Sequence, residues 1–251
     1  MLPCGGTFDV DPASYSPEAR LAELDRSGLR RAVVSLPPTT EPTPELIAAW
    51  HEGALELWTS TDGRILPLAY STANPLFPGA ILPAPQLGDD PQLLTRLDQQ
   101  GQFVFVHPGA AVPSSPSWRT AGVAYAQQML DAYVYWLATG GQRWPRLAVV
   151  FALLAGGAAF HLERFIRRGL DPRAAQERTV WLETSSYGER ALELSLQTFG
   201  VDAHVFGSDA PIDTVVKALT PTRAFGPGVA DTLLTNSPLE PTSGPKARWA
   251  A

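Results

Sequence analysis

Short apolar runs alternate with longer amphipathic segments along most of this 251-residue sequence. The runs are rich in Val, Ile, Leu and Phe, as buried strands are, and the amphipathic segments open with helix-start signals. Strands that alternate with helices favour a parallel sheet, and eight such units close a barrel. The pattern predicts a single α/β domain, a (β/α)8 barrel, with an open doubly wound sheet as the alternative.

Eight segments are predicted as strands, and capping signals mark the helices between them. Ser16-Pro17-Glu18 and Thr43-Pro44-Glu45 each place a capping side chain before a proline and an acidic residue. No Gly-x-Gly-x-x-Gly follows the first strand, which weakens the open-sheet alternative. The fourth strand is doubtful, since Pro83 has no N–H for a ladder. The predicted strands are 7–11, 31–36, 65–70, 80–83, 103–106, 147–154, 180–184 and 204–206.

Length and composition limit the classes of protein that this chain can belong to. One barrel domain is predicted over residues 1–236, followed by a loose tail at 237–251 that is rich in Pro, Ser and Gly. The formal net charge of −6 gives no electrostatic case for nucleic acid. The longest apolar run, 147–160, is too short to span a bilayer, and the start lacks the features of a signal peptide. We expect a cytoplasmic protein with a small-molecule substrate, no nucleic-acid or membrane partner, and a possible homo-oligomer.

Four polar residues are predicted at the carboxyl ends of the strands, where barrel enzymes place their active sites. Asp9 and Asp11 lie two apart on the first strand and can face the same side. His107 follows the fifth strand, and Asp209 follows the eighth. Glu183 lies next to the end of the seventh strand and can face either the barrel axis or the helices. We expect Asp9, Asp11, His107 and Asp209 to share one mouth.

Several segments resemble the amidohydrolase-related family of metal-dependent hydrolases and decarboxylases, which includes 2-amino-3-carboxymuconate semialdehyde decarboxylase. The most specific is Val-Phe-Gly-Ser-Asp-Ala-Pro at 205–211, similar to the family's Gly-Ser-Asp-x-Pro motif, whose Asp binds or faces the metal. Phe-Val-Phe-Val-His-Pro at 103–108 resembles its strand-five motif. Shorter likenesses, in the family's order, lie at 24–34, 63–68 and 144–164. Together they cover roughly residues 7 to 236.

The sequence departs from the family where the metal ligands are expected. The family's His-x-His on strand one is absent, and Asp9-Val10-Asp11-Pro12-Ala13 stands in its place. Leu154 occupies the position of the strand-six His, and we expect it to face the pocket. Only His107 and Asp209 remain from the usual set. No lysine lies on a predicted strand, which excludes a two-metal site bridged by carbamylated lysine.

The resemblance implies a hydrolase or decarboxylase that acts on a small carboxylated or cyclic substrate. Asp209 is expected to act as base or metal ligand, and His107 as ligand or electrophile. If a divalent metal is bound, Asp209, His107, Asp11 and Asp9 are the candidate ligands, an oxygen-rich set that suits Mg²⁺ or Mn²⁺ better than Zn²⁺. The alternative is a pseudoenzyme that has lost the metal site and acts as a ligand-binding or partner subunit.

Overall fold

The strands of a computed structural model run parallel and in sequence order. The structure describes residues 11–112, 116, 118–176 and 179–239, so the predicted first strand lies outside it except for Asp11. Strands β3 to β8 form one sheet, and β1 pairs with β2. The strands are β1 Ala32–Val34, β2 Ile65–Pro67, β3 Ala69–Tyr70, β4 Gly79–Pro83, β5 Phe103–His107, β6 Val149–Phe151, β7 Val180–Glu183 and β8 His204–Val205.

The predicted third strand consists of β2 and β3, which meet at Leu68. The N–H of Leu68 donates to the Val34 carbonyl at 2.9 Å, so the ladder with β1 continues past the end of β2. The run of parallel neighbours therefore extends from β1 through β8. This order, with a helix after nearly every strand, is the arrangement predicted for a (β/α)8 barrel.

The main helices begin at the residues that the capping signals predict. The Ser16 side chain accepts the N–H of Ala19, and the Thr43 side chain accepts the N–H of Leu46. The π-helical turns Thr120–Tyr125 and Trp136–Gly140 flank α4. The α-helices are α1 Pro17–Ser27, α2 Pro44–Ser60, α3 Pro91–Gln100, α4 Ala126–Tyr135, α5 Gly141–Arg143, α6 Leu153–Arg167, α7 Glu189–Phe199, α8 Val215–Ala224 and α9 Pro227–Thr235.

Alternate residues of the strands pack into two separate clusters, as expected for parallel strands buried on both faces. The larger cluster fills the space between strands and helices, and it includes Val104, Phe151 and Leu182. The smaller one contains Leu68, Ile81, Phe103, Val150 and Val205, with Trp181 packed against it. Because these residues alternate with the first set, the smaller cluster is the barrel interior.

The described structure differs from the sequence prediction at several places. The sixth strand is shorter than predicted, because the chain leaves it after Phe151 and enters α6 at Leu153. Helix α9 was not predicted. Leu239, within the predicted tail, packs against the interior cluster, and residues 240–251 lie outside the described part. Among the described helices, none is both long and apolar enough to cross a bilayer.

Candidate active site at the barrel mouth

Asp209 lies in the loop after β8, at the carboxyl end of the strands. Its backbone is left-handed, with φ of 54°, and its carbonyl accepts the N–H of Ile212 at 2.9 Å. Arg20 supports the same loop from α1, since its Nη2 donates to the Ala210 carbonyl at 2.8 Å. The residue is exposed, but protein atoms displace water around the carboxylate. This desolvation, aided by the charge of Asp213, raises the pKa of Asp209 to about 6.

Glu183 is a buried carboxyl group at the end of β7, and it lies on the interior side of the strand. It is two residues beyond Trp181, which packs against the interior cluster. A β-carbon built on Gly207 would overlap Glu183 Oε1, so the carboxylate lies against the backbone just beyond β8. From the sequence alone, Glu183 could face either the barrel axis or the helices. Once Trp181 is known to face the interior, the two-residue spacing places Glu183 on the same side.

Three protein donors hold the Glu183 carboxylate in place. Oε1 accepts the N–H of Ser185 at 2.7 Å, and Oε2 accepts the Ser185 hydroxyl at 2.8 Å and the N–H of Leu153 at 3.3 Å. Burial nevertheless raises the pKa of Glu183 to about 7; these hydrogen bonds oppose the rise, and the charge of Asp209 adds to it. Glu183 therefore keeps a proton to a higher pH than Asp209 does.

His107 ends β5 and is partly buried. It shares the interior side of that strand with Phe103 and Phe105, and its ring centroid lies 6.0 Å from that of Phe105. Its Nδ1 lies 3.0 Å from the Pro108 carbonyl oxygen. A carbonyl can only accept, so this contact assigns the proton of the neutral ring to Nδ1 and leaves Nε2 as an acceptor. Burial lowers the pKa of His107, which favours the neutral ring.

The predicted ligands are not brought together within the described part of the chain. Asp11 is exposed, and its side chain accepts the N–H of Ala13 at 3.0 Å, capping a short 3-10 helix, Pro12–Tyr15. Asp9 lies outside the described residues. Among the residues described, no group of three His, Cys, Asp or Glu side chains could hold a metal ion. The residues that the structure describes thus do not by themselves form a ligand set for the divalent metal that the resemblance implies.

Leu154 does not face the mouth, which corrects the sequence prediction for strand six. The segment Leu153–Gly157, here called the left-handed turn, has φ between 46° and 81° at all five residues. The turn directs Leu154 toward α7, where it lines a cavity of about 170 Å³ with Ala191 and Leu194. Leu154 is 2% exposed and belongs to the cluster between strands and helices.

Two other histidines have structural contacts. His204 is fully buried between Ser195 Oγ, 2.7 Å from Nε2, and the Gly200 carbonyl, 2.8 Å from Nδ1. Burial lowers the pKa of His204 to about 4, too low for a proton acceptor near neutral pH. His51 Nε2 accepts the N–H of Tyr70 at 2.9 Å and so fixes α2 to β3.

A second cavity, of about 150 Å³, lies between the ends of β3 and β4 and the start of α3. Ser71, Gln86 and Asp89 are among its lining residues. Neither His107, Glu183 nor Asp209 lines it. The chemistry-bearing side chains therefore lie elsewhere at the same end of the barrel.

Known structures with the same fold include several decarboxylases. A protein described as amidohydrolase II aligns with a TM-score of 0.72 and 15% identity, covering 93% of this chain and 92% of that one. The 5-carboxyvanillate decarboxylase of Sphingomonas paucimobilis aligns with a TM-score of 0.69 and 18% identity, covering 86% and 79%. A dihydroxybenzoic acid decarboxylase of Polaromonas sp. JS666 aligns with a TM-score of 0.65 and 14% identity, covering 90% of each chain.

These likenesses confirm the (β/α)8 barrel fold that the sequence predicted. The Polaromonas structure holds manganese and the inhibitor 2-nitroresorcinol. No family model matches the chain, and no curated protein matches it. The comparisons thus establish the fold, and the function has to be argued from the site.

Proposed function

We propose that this protein is a hydrolase or decarboxylase that acts on a small carboxylated or cyclic substrate at the barrel mouth. The observation that carries the proposal is the pair of carboxyl groups at the ends of β7 and β8, Glu183 and Asp209. Their pKa values are raised to about 7 and about 6. Two carboxyl groups whose environments separate their pKa values are suited to acid and base roles near neutral pH.

Asp209 is the member of the pair that a substrate can reach, because it is exposed at the mouth whereas Glu183 is buried. With a pKa raised to about 6, Asp209 is present in both its protonated and its ionised form near that pH, so it can give up a proton and take one back. Asp209 is therefore the proton-transferring residue. Neutral His107 offers Nε2 as a further polar group. Asp209 and His107 are the catalytic residues that the motifs imply, and they remain our candidates.

A decarboxylation at this site needs one proton for each turnover. Protonated Asp209 gives its proton to the carbon that bears the substrate carboxylate, the bond to that carboxylate breaks, its electron pair returns to the substrate, CO2 leaves, and Asp209 takes up a new proton from water. Two of the similar solved structures hold manganese, one with the inhibitor 2-nitroresorcinol and one with 4-hydroxy-3-methoxy-5-nitrobenzoic acid. The described residues of this chain do not supply a matching ligand set, so no step is assigned to a metal here.

Turnover of small aromatic acids tests the proposal. Dihydroxybenzoates and 5-carboxyvanillate are incubated with the protein, CO2 release is measured, and small lactones and cyclic amides serve as the hydrolase arm. We expect turnover of at least one compound, and its loss in Asp209→Asn but not in the exposed control Asp202→Asn. Absence of turnover throughout the panel, or an equally active Asp209→Asn protein, contradicts the proposal and favours a non-catalytic ligand-binding barrel.

A further inference from the structure

The segment that follows strand six contributes a backbone N–H, from Leu153, to the polar wall of the mouth. The left-handed turn includes three residues with side chains, Leu153, Leu154 and Ala155, in a region that L-amino acids rarely adopt. It directs Leu154 toward the helices and presents the N–H of Leu153 to Glu183 Oε2. A backbone in this conformation persists only where surrounding contacts hold it.

Strand seven supplies the acceptor for that N–H. The Glu183 carboxylate also receives both donors of Ser185, so donors from two strand ends converge on one buried group. Glu183 as a whole is 7% exposed, so protein atoms and not solvent fix the position of its carboxylate.

The segment after strand eight closes the third side of the group. Only a residue without a β-carbon fits at position 207, because Glu183 Oε1 and the carbon next to it occupy the space that a β-carbon would take. Asp209 follows two residues later, in a turn closed by the bond from Ile212 to its carbonyl. The position of Gly207 therefore determines where the turn that contains Asp209 begins.

We propose that Glu183 is the positioning residue of the mouth, tying the left-handed turn of strand six to Gly207 and thereby placing Asp209. The role rests on the proposed function, since Asp209 is the residue that it serves. Glu183 is not itself assigned to contact with substrate.

A double-mutant cycle at positions 183 and 207 tests this role. Gly207→Ala should lower the urea midpoint, because the new methyl group displaces the carboxylate. Adding Glu183→Ala should restore part of that loss, since the group that the methyl meets is gone. The exposed control Glu193→Ala should restore none. Strictly additive losses for Gly207→Ala and Glu183→Ala overturn the proposal.

A second readout separates positioning from a purely structural contact. The Asp209 side-chain carbon is followed by ¹³C NMR as pH changes, in the wild type and in Gly207→Ala and Glu183→Gln. We expect the Asp209 titration to move toward its ordinary acidic range in Gly207→Ala, where the turn shifts, and to move in Glu183→Gln as well. An Asp209 titration that is unchanged in both variants overturns the positioning role. Neither readout uses a substrate, so failure to find turnover leaves this test intact.

Discussion

The carboxylate of Glu183 lies against the α-carbon of Gly207, so closely that a β-carbon at position 207 would overlap its Oε1. This contact joins the end of β7 to the segment that leads into Asp209. It also removes Glu183 from water, which is the main reason why its pKa is raised. One steric relationship thus links the packing of two strand ends to the acid–base properties of the mouth.

Glu183→Gln should change how stability depends on pH. In the folded protein the pKa is raised from 4.5 to about 7, so the folded state holds a proton that the unfolded state has released. Glu183 therefore makes the protein less stable as pH rises through that window, by about 3 kcal/mol. Urea unfolding at several pH values should show the variant gaining free energy of unfolding relative to the wild type between pH 4.5 and 7.

The exposed Glu193→Gln serves as the control and should show no such gain. The wild type alone is less informative, because buried His204, with its pKa lowered from 6.5 to about 4, has the opposite effect. The stability that neutral His204 contributes is lost as pH falls from 6.5 toward 4, whereas the destabilisation due to Glu183 grows as pH rises. The two effects on the pH dependence of unfolding free energy therefore partly cancel in the wild type. A difference between Glu183→Gln and wild type that does not vary with pH would contradict the buried carboxyl group.

Gly156→Ala and Gly157→Ala should have unequal effects on stability. Both glycines have positive φ, 68° and 81°, and an alanine at either position is strained by about 1 kcal/mol. At Gly156 the new β-carbon would also overlap the Ala126 carbonyl oxygen, whereas at Gly157 the nearest atom is Tyr187 Oη at 3.9 Å. We expect the free energy of unfolding, measured with urea, to fall by roughly 3 kcal/mol or more in Gly156→Ala and by about 1 kcal/mol in Gly157→Ala. Equal losses would count against the packing of the left-handed turn on α4.

Leu154→His should not create a metal site. The side chain points to α7 and is 2% exposed, so an imidazole there is buried against a mostly apolar cavity wall and away from Asp209 and His107, which do not line this cavity. We expect a loss of about 2–4 kcal/mol in unfolding free energy and unchanged metal content by elemental analysis. A folded Leu154→His protein that retains a divalent ion would show that the turn faces the mouth after all.

Divalent cations should leave the melting temperature of the wild type unchanged. A site whose dissociation constant is 100-fold below the free ion concentration would add about 2.7 kcal/mol to the free energy of unfolding. The described part of the chain offers no group of three ligands for such a site. Thermal unfolding with and without millimolar Mn²⁺, Mg²⁺ or Zn²⁺ shows whether the melting temperature changes. A rise that Asp209→Asn abolishes would contradict the expectation and make Asp209 a ligand of a bound metal ion.

Much of the fold follows from local signals. Ser16 and Thr43 cap the helices they were predicted to cap, because capping depends on residues within one turn. Strand β4 forms despite Pro83, which lies at its last position beside His107 of β5. Helix α9 was missed because the residues around Pro227 are rich in small and polar types that also suit a loop.

The site was less predictable because its geometry depends on tertiary contacts. His107 and Asp209 were placed at strand ends by motif and register. The left-handed backbone at Leu153, Leu154 and Ala155 opposes local preference, so no propensity argument predicts it. The close approach of Gly207 to Glu183 involves residues 24 positions apart in sequence, which a single sequence does not relate.

Titration of the two mouth carboxyl groups tests the central claim most directly. ¹³C NMR of the side-chain carboxyl carbons should show Asp209 titrating with a midpoint near 6 and Glu183 near 7. Asp209→Asn should remove the first titration and lower the midpoint of the second, because the charge of Asp209 no longer opposes ionisation of Glu183. If both carbons titrate below pH 5 in the wild type, the two groups are ordinary solvated carboxylates and the proposed acid–base pair does not exist.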